Sequence, residues 1–362
     1  MKKTICLNMI VKNESPVIQK CLASTKRFID YWVIADTGST DGTQELIRNV
    51  LQDIPGEFYE RPWVDFSHNR NEVLTLSKTK ADYILFIDAD EMLLFPDEFT
   101  MPDLNKDHYF IQIMQPDGSQ YFRVFLIKNE LNWQWKGVLH EEIISPEAKT
   151  VEILQGITNY SASHEGHRTQ NPDKFLQDTI ILEKALEKEP NNTRYLFFLA
   201  ISYGNLKNFT LALKYHQKRV DINDGNEEEI FFSLLCIANA QENLEYAPAT
   251  FLESYSQAYL YRPTRVEPLY GLVCYYAREE KTLLAYLIAK FALSIPSTKD
   301  KGFVLQFIYD TGLLYQFADC SYKLGYYQET RETYKKLLQR NLPSEKRAQI
   351  ERNLASLSSQ TI

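Results

Sequence analysis

The chain has 362 residues, of which 44% are hydrophobic and 24% are charged, and these ordinary globular values exclude a disordered or fibrous protein. Its length exceeds what one hydrophobic core normally supports, so we expect two domains. The net charge of -8, without dense blocks of lysine and arginine, argues against nucleic acid or an anionic membrane as a partner.

The N-terminal run MKKTICLNMIVKNE predicts a first strand rather than a signal peptide, because its apolar part is short and is interrupted by Asn8. No stretch of the sequence is long and apolar enough to predict an integral membrane segment. The five cysteines are scattered and form no CxxC pair. This pattern predicts reduced thiols in a cytoplasmic protein and argues against a structural zinc site.

The first part of the chain alternates between strand-like and helix-like segments, which is the signature of a parallel, three-layer α/β sheet. Ser15 is the expected N-cap of the first helix, with Pro16 at its first position, and Asp41 is the expected N-cap of the second. The predicted strands cover residues 4–11, 30–39, 56–63 and 82–90, and the predicted helices cover 15–28, 40–54 and 67–79.

The pattern changes after residue 107. Short alternating segments up to residue 160 predict further strands, some of them antiparallel, and from about residue 171 the sequence predicts amphipathic helices. Small and aromatic residues in these helices recur with the spacing of the tetratricopeptide unit, which is roughly 34 residues long. Three copies fit residues 195–220, 269–292 and 313–338, and a looser copy fits 229–263. We therefore expect an α/β domain at residues 1–168 and an all-α helical repeat domain at 169–362.

Acidic residues follow two of the predicted strands. Asp88 and Asp90 have the DxD spacing, which can direct two carboxylates at one hard cation such as Mn²⁺ or Mg²⁺, shared with substrate phosphates. Asp36 ends the second strand without an obvious backbone group to cap. The alternative is that these aspartates only cap turns, as aspartates after strands commonly do.

Five motifs resemble, in order and spacing, those of family 2 glycosyltransferases of the GT-A fold, which are inverting enzymes that use nucleotide-diphospho-sugars. The motifs are NMIVKNE (8–14), VIADTGSTDGT (33–43), DFSHNRNE (65–72), ILFIDADE (84–91) and WKGVLHE (135–141). The resemblance covers roughly the first 165 residues. A C-terminal tetratricopeptide region also occurs in a branch of such enzymes, including ones that modify peptides.

The resemblance implies a UDP-sugar donor and a bound Mn²⁺ or Mg²⁺. Asp90 is the expected metal ligand, while Asp88 would contact the metal or the ribose, and Asp36 would contact the nucleobase or the ribose. Arg70 either lies near the nucleotide or pairs with a surface acid. The implied donor-pocket residues are Val11, Glu14, Asp36, Arg70, Asn71, Asp88 and Ala89.

The resemblance also implies a general base, since inversion requires one to take the proton of the acceptor. Glu141 is the expected base, with Glu142 as the alternative, and His140 would orient the base or approach the diphosphate. A third metal ligand is expected from His164 or His167, and we prefer His164.

Trp133 and Trp135 either stack on sugar faces or are buried in the core. The leading hypothesis is an inverting, metal-dependent glycosyltransferase whose repeats hold a peptide, protein or saccharide acceptor, and the repeats could also support a homodimer. The competing hypothesis is a non-catalytic binding or assembly protein with a degenerate GT-A domain. A nucleotidyltransferase is a third reading, but it would need a Gly-rich phosphate loop that VKNESP does not supply.

Overall fold

The protein is described by a computed structural model that covers residues 2–116, 120–161, 166–168, 170–340 and 342–358. It divides into two compact units, Met1–Leu206 and Lys207–Ile362. The domain boundary that the sequence predicts, after residue 168, falls where strands give way to helices, and it stays a prediction.

The first unit contains an eight-stranded mixed sheet and a separate two-stranded ribbon. The eight strands are β1 (Ile5–Val11), β2 (Tyr31–Asp36), β3 (Gly56–Glu60), β4 (Tyr83–Phe86), β5 (Glu91–Leu94), β6 (His108–Met114), β7 (Gln120–Lys128) and β10 (Val151–Ser161). Their order is β3-β2-β1-β4-β7-β6-β10-β5. The strands from β3 to β4 are parallel, while β7 is antiparallel to both neighbours. The ribbon pairs β8 (Gln134–Lys136) with β9 (Glu142–Ile144).

Helices cover both faces of the parallel strands. They are α1 (Ile18–Thr25), α2 (Thr43–Val50) and α3 (Phe66–Leu76), and the unit ends with α4 (Lys174–Lys188) and α5 (Thr193–Asn205). Alternate residues of β1 reach opposite cores: Leu7 packs in the cluster that holds α1 and α2, whereas Cys6 packs with Val73 of α3. A central parallel strand is buried on both faces, which explains its continuous apolar sequence.

The start of α1 differs from the prediction. The helix begins at Ile18 with Val17 as its N-cap, so the assignment of Ser15 as the N-cap is wrong. The N–H groups of Val17 and Ile18 both donate to the carbonyl oxygen of Glu14, which makes residues 14–17 a turn. The N–H of Ser15 donates to the carboxylate of Asp41 instead.

The second unit consists of consecutive helices that pack as neighbours. They are α6 (Phe209–Ile222), α7 (Glu227–Asn243), α8 (Pro248–Tyr261), α9 (Glu267–Arg278), α10 (Thr282–Ala292), α11 (Leu313–Lys323), α12 (Tyr327–Leu338) and α13 (Ser344–Ser358), with a short π-helix at Ile308–Gly312. The helix pairs α9–α10 and α11–α12 correspond to the second and third predicted repeats. Of the helices in the described ranges, none combines the length and hydrophobicity that crossing a bilayer requires.

Candidate active site

The predicted donor residues lie at one edge of the sheet, where the parallel strands β1, β2 and β4 end. Val11 and Asp36 are register partners at the ends of β1 and β2. Asp88 and Asp90 follow β4 in the turn that leads into β5. Because open α/β sheets bind ligands outside the carboxyl ends of their parallel strands, this edge is the candidate active site.

Asp36 is buried and holds the loop that follows it. One carboxylate oxygen, Oδ1, accepts hydrogen bonds from the N–H groups of Gly38 at 2.8 Å and Ser39 at 2.7 Å. Gly38 has a φ of 107°, which glycine adopts without strain. The other oxygen, Oδ2, is buried and has no hydrogen-bond partner among the described residues. It is an acceptor available to a ligand.

The loop after β1 is joined to the loop of Asp36. The carbonyl oxygen of Val11 accepts from the N–H of Thr37 at 2.9 Å and from its hydroxyl at 3.1 Å. Asn13, with a φ of 55°, donates its N–H to the hydroxyl of Ser39. The structure thus brings the predicted residues Val11 and Asp36 together.

Two arginines neutralise part of the acidic edge. Asp88 accepts from Arg70 at 2.7 Å through one oxygen and from Arg123 at 2.8 Å through the other. Arg123 also pairs with the buried Glu91, which in turn accepts from the amide of Asn159 at 2.9 Å. Burial alone would raise the pKa of Asp88. The charges of the two arginines outweigh burial and hold this pKa well below its usual value.

Asp90 and Glu14 lie at the same edge, and among the described residues neither has an arginine or lysine within ion-pair distance. Burial, followed by the charges of Asp88 and Glu91, raises the pKa of Asp90 to about 7. Burial likewise raises the pKa of Glu14 to about 7, although the N–H of His167 donates to this carboxylate at 3.3 Å. Within the part of the chain that the structure describes, the carboxylates of Asp90 and Glu14 therefore add negative charge to this edge without a direct ion-pair partner.

This surplus of negative charge fits a divalent cation, which prefers carboxylate oxygen ligands. No group of three or more potential His, Cys, Asp or Glu ligands forms within the ranges that the structure describes. His164 lies outside the described residues. Gly166 is so close that a Cβ there would lie 2.6 Å from Oδ2 of Asp90. The chain that follows His164 therefore passes directly beside the predicted ligand Asp90.

Glu141 and Glu142 point to different partners. Glu141, with a side chain only 9% exposed, accepts from Nε of Arg70 at 2.5 Å, and the same guanidinium binds Asp88. Glu142 is exposed and pairs with Arg194 at 2.6 Å. His140 stacks on the ring of Phe198, and among the described residues its side chain forms no hydrogen bond or ion pair with Asp88 or Glu141. Of the two candidate bases, Glu141 lies at the acidic edge.

Other predicted residues have structural partners. The side-chain amide of Asn71 donates to the carbonyl oxygen of Trp135 at 2.9 Å and accepts from its N–H at 2.8 Å, so this amide holds strand β8. Trp133 and Trp135 are buried, as the second of the two sequence readings expects. Ala89 is also buried, between the two aspartates of the DxD motif.

The sequence did not single out Arg123 or Arg194, although each contacts a predicted site residue. Arg123 lies within YFRVFLIK, where it interrupts a run of apolar residues in a predicted strand. This interruption could have identified Arg123 as a candidate site residue. Arg194 is in a helix that the sequence assigns to the repeats. Its contact with Glu142 follows only from the fold.

Comparison with known proteins agrees with these motifs. Residues 6–98 match the family model of glycosyl transferase family 2. The SPbeta prophage-derived glycosyltransferase SunS of Bacillus subtilis (strain 168) is 26% identical over 258 residues, and the match covers 66% of this chain but only 60% of SunS. The lipopolysaccharide core biosynthesis glycosyltransferase LpsC of Rhizobium meliloti (strain 1021) is 33% identical over 86 residues, covering 24% of this chain and 31% of LpsC.

Among solved structures, the crystal structure of MamA resembles 50% of this chain and 95% of its own, at 17% identity and a TM-score of 0.38. The predicted fold class, a GT-A-like α/β domain followed by tetratricopeptide-like helices, is confirmed by the layered sheet, the consecutive helices and the family match. The N-terminal part of the chain, over residues 6–98, is thus similar to the glycosyl transferase family 2 domain.

Proposed function

We propose that the protein is an inverting glycosyltransferase that moves a sugar from a nucleotide-diphospho-sugar, expected to be a UDP-sugar, to a peptide, protein or glycan acceptor. The supporting observation is the link in which the guanidinium of Arg70 binds both Asp88 and Glu141. These residues are far apart in the sequence, yet they lie within reach of one side chain. The candidate base is therefore next to the motif expected to hold the donor.

Donor binding is assigned to the edge formed by β1 and β2. The free oxygen of Asp36 would accept a hydrogen bond from the nucleobase or ribose, and Val11 and Glu14 would line the same pocket. A buried acceptor without a partner costs about 1–3 kcal/mol, and a ligand donor would recover this cost.

Transfer is proposed as a single displacement. The acceptor atom attacks the anomeric carbon of the sugar while the bond to the diphosphate oxygen breaks, and the carboxylate of Glu141 takes the acceptor's proton. No covalent bond forms between sugar and enzyme. A diphosphate near Asp88 would compete for the positive charge of Arg70, and this competition would release Glu141 to act as the base.

A divalent cation, Mn²⁺ or Mg²⁺, would neutralise negative charge on the departing diphosphate when it is bound. Asp90 would hold it, together with Asp88 and His164. The raised pKa of Asp90 supports this assignment, since a bare carboxylate is disfavoured there.

The helical repeats are proposed to hold the acceptor or to join two copies of the chain. The relative SunS is itself named a glycosyltransferase. A cytoplasmic location belongs to the same proposal, and it is supported by the five cysteines, all of which are unpaired.

The test is a thermal-shift screen of the full chain with UDP-, GDP-, ADP- and TDP-sugars in the presence of Mn²⁺. A uridine compound at 100 times its Kd should stabilise the protein by about 2.7 kcal/mol. The same screen is repeated on Asp90→Asn and on the matched control Asp103→Asn, which changes an exposed acid outside the site.

We expect the control to keep the full stabilisation and Asp90→Asn to lose most of it. Equal shifts in the two variants would count against the metal assignment. If no donor stabilises the parent or is turned over, while residues 169–362 bind peptides tightly, the competing function as a binding protein is favoured.

A further inference from the structure

We propose that helix α5 positions the base for the transfer reaction, through Arg194 and Phe198, which we call the α5 clamp. The inference rests on the proposed function of Glu141. It gives helix α5 a role in the active site, which is separate from any role of the helices in binding the acceptor. The α5 clamp acts on the two neighbours of Glu141 and not on Glu141 itself, so its residues are positioning residues.

The loop that carries Glu141 has an unusual backbone. Gly137 has a φ of 112° and His140 a φ of 52°, which is in the left-handed region. For a residue other than glycine this conformation is uncommon and persists only when the surrounding structure holds it. Gly137 also approaches Glu141 closely, because a Cβ at Gly137 would lie 3.4 Å from the Cα of Glu141. The loop therefore needs fixed contacts on both sides of the base.

The α5 clamp supplies the contacts on one side. Nε of Arg194 donates to the carbonyl oxygen of His140 at 2.8 Å, and Nη1 pairs with the carboxylate of Glu142 at 2.6 Å. The imidazole of His140 stacks on Phe198 with a centroid distance of 3.8 Å and an interplanar angle of 10°. One guanidinium thus fixes the residue before and the residue after Glu141.

Helix α3 supplies the contacts on the other side. Arg70 donates to Glu141 at 2.5 Å, and the hydroxyl of Ser67 donates to the carbonyl oxygen of Gly137. Glu141 is consequently held between two helices. The backbone of Glu141 would therefore keep its position when Arg70 turns to a bound diphosphate, because Arg194 and Ser67 still hold the loop on either side.

The α5 clamp is itself rigid. Asn192 caps the helix, with its side chain accepting the N–H of Tyr195 at 3.1 Å. Tyr195 is buried, and the guanidinium of Arg194 lies 5.0 Å from the ring centroid of Phe198. Functional groups held by regular helices are placed more accurately than groups on loops. The first turn of α5 is therefore suited to hold the loop that carries the base.

The experiment uses the full chain and three variants: Arg194→Gln, Arg194→Lys and the control Tyr203→Phe. Tyr203 is on the same helix and donates its hydroxyl to Glu183 at 2.6 Å, away from the loop. Hydrogen exchange of the peptide covering residues 137–142 is measured by mass spectrometry without ligand. We expect exchange to become at least tenfold faster in Arg194→Gln, to be intermediate in Arg194→Lys and to be unchanged in Tyr203→Phe.

The second measurement is UDP release from UDP-glucose with Mn²⁺, with UDP affinity determined by calorimetry. We expect kcat to fall tenfold to a hundredfold in Arg194→Gln, with the Kd for UDP changed by less than twofold and with partial recovery in Arg194→Lys. Unchanged exchange at residues 137–142 in Arg194→Gln would overturn the inference, as would a loss of UDP affinity equal to the loss of kcat. The exchange measurement needs no turnover, so it tests whether Arg194 holds the loop independently of whether Glu141 is the base.

Discussion

Asp36 is the residue at which the structure and the proposed chemistry agree most directly. One of its oxygens is used by two backbone N–H groups, and the other is buried without a partner among the described residues. A protein rarely keeps a buried carboxylate oxygen unsatisfied, because the desolvation cost is not recovered. A hydrogen-bond donor on a bound ligand would satisfy this oxygen.

The substitution Asp36→Asn tests this assignment. Asparagine keeps one oxygen for the N–H groups of Gly38 and Ser39 but presents an amide NH₂ where the free oxygen was. We expect the melting temperature to change little and the affinity for UDP to fall at least tenfold, measured by calorimetry. Asp36→Ala, which also removes the loop hydrogen bonds, should lower both. Unchanged UDP affinity in Asp36→Asn would remove Asp36 from the donor pocket.

Two fully buried arginines of the second unit form a natural pair for comparison. Arg265 binds Glu267 at 2.7 Å and Asp300 at 3.1 Å, and also donates to carbonyl oxygens. Arg219 donates a 3.3 Å hydrogen bond to the carbonyl oxygen of Asn226 and lies 3.8 Å from the carboxylate of the buried Glu229, and its Nε and Nη1 have no hydrogen-bond partner among the described residues. The two guanidinium groups are equally buried, but Arg265 has more hydrogen-bond and ion-pair partners than Arg219.

We therefore expect Arg265→Met to lower the free energy of unfolding by about 3–5 kcal/mol, because it leaves the buried carboxylate of Glu267 without its arginine, whereas Asp300 keeps its ion pair with Arg262. Arg219→Met should cost at least about 2 kcal/mol less, because Nε and Nη1 of Arg219 give up no hydrogen bond and its ion pair with Glu229 is long, at 3.8 Å. Urea unfolding of the full chain measures both. Equal losses would mean that the buried ion pairs of Arg265 are not what stabilises this region.

At the scale of elements, the sequence predicted the long helices and the parallel strands but not β5, β8 and β9. These three strands have only three or four residues, too few for a periodic pattern to be recognised. The same limit applies to the site. Asp36, Asp88 and Glu141 belong to recognisable motifs, whereas Arg123 reaches Asp88 only because β7 lies beside β4. The spacing of residues along the sequence does not predict contacts that depend on the order of strands in the sheet.

The helix pair α6–α7 contains a buried histidine that predicts a dependence of stability on pH. Nδ1 of His216 on α6 lies 3.2 Å from the hydroxyl of Ser233 on α7, and burial lowers the pKa of His216 to about 3. The unfolded chain takes up this proton below pH 6.5 while the folded chain does not. The contribution of neutral His216 to the free energy of unfolding is therefore fully present above pH 6.5. As the pH falls from 6.5 to about 3, this contribution decreases by about 1.4 kcal/mol per pH unit.

The variant His216→Gln should show a weaker loss of stability on acidification than the parent. Urea unfolding at pH 7, 6 and 5 gives the two slopes, and contributions from the remaining groups cancel in the difference. The exposed His68 provides the control, since His68→Gln should keep the slope of the parent. Identical slopes in all three proteins would contradict the assignment.

At the scale of the whole molecule, the compact unit that contains the sheet extends to Leu206 and so includes α4 and α5. The sequence places a boundary after residue 168, because helical periodicity begins shortly after that point. Periodicity identifies a helix but not the partner against which it packs. Arg168, for example, pairs with the buried Asp178 of α4.

Two truncated chains distinguish these boundaries. A chain of residues 1–206 should fold and bind UDP within about threefold of the full chain, because it keeps Arg194 and Phe198. A chain of residues 1–168 should be less stable by at least about 3 kcal/mol or should aggregate, since it loses the buried residues of α4 and α5. Thermal unfolding and size-exclusion chromatography measure the difference. Equal behaviour of the two chains would favour the boundary at residue 168.

The arginine pairs at the acidic edge also bear on whether the protein needs a metal ion in order to fold. Since Arg70 and Arg123 already satisfy Asp88 and Glu91, the fold does not need an ion to bring these carboxylates together. Protein stripped with EDTA should keep its melting temperature within about 2 °C, which corresponds to a change of about 1 kcal/mol. Metal ion and sugar nucleotide would then bind to a protein that is already folded, whichever of them binds first.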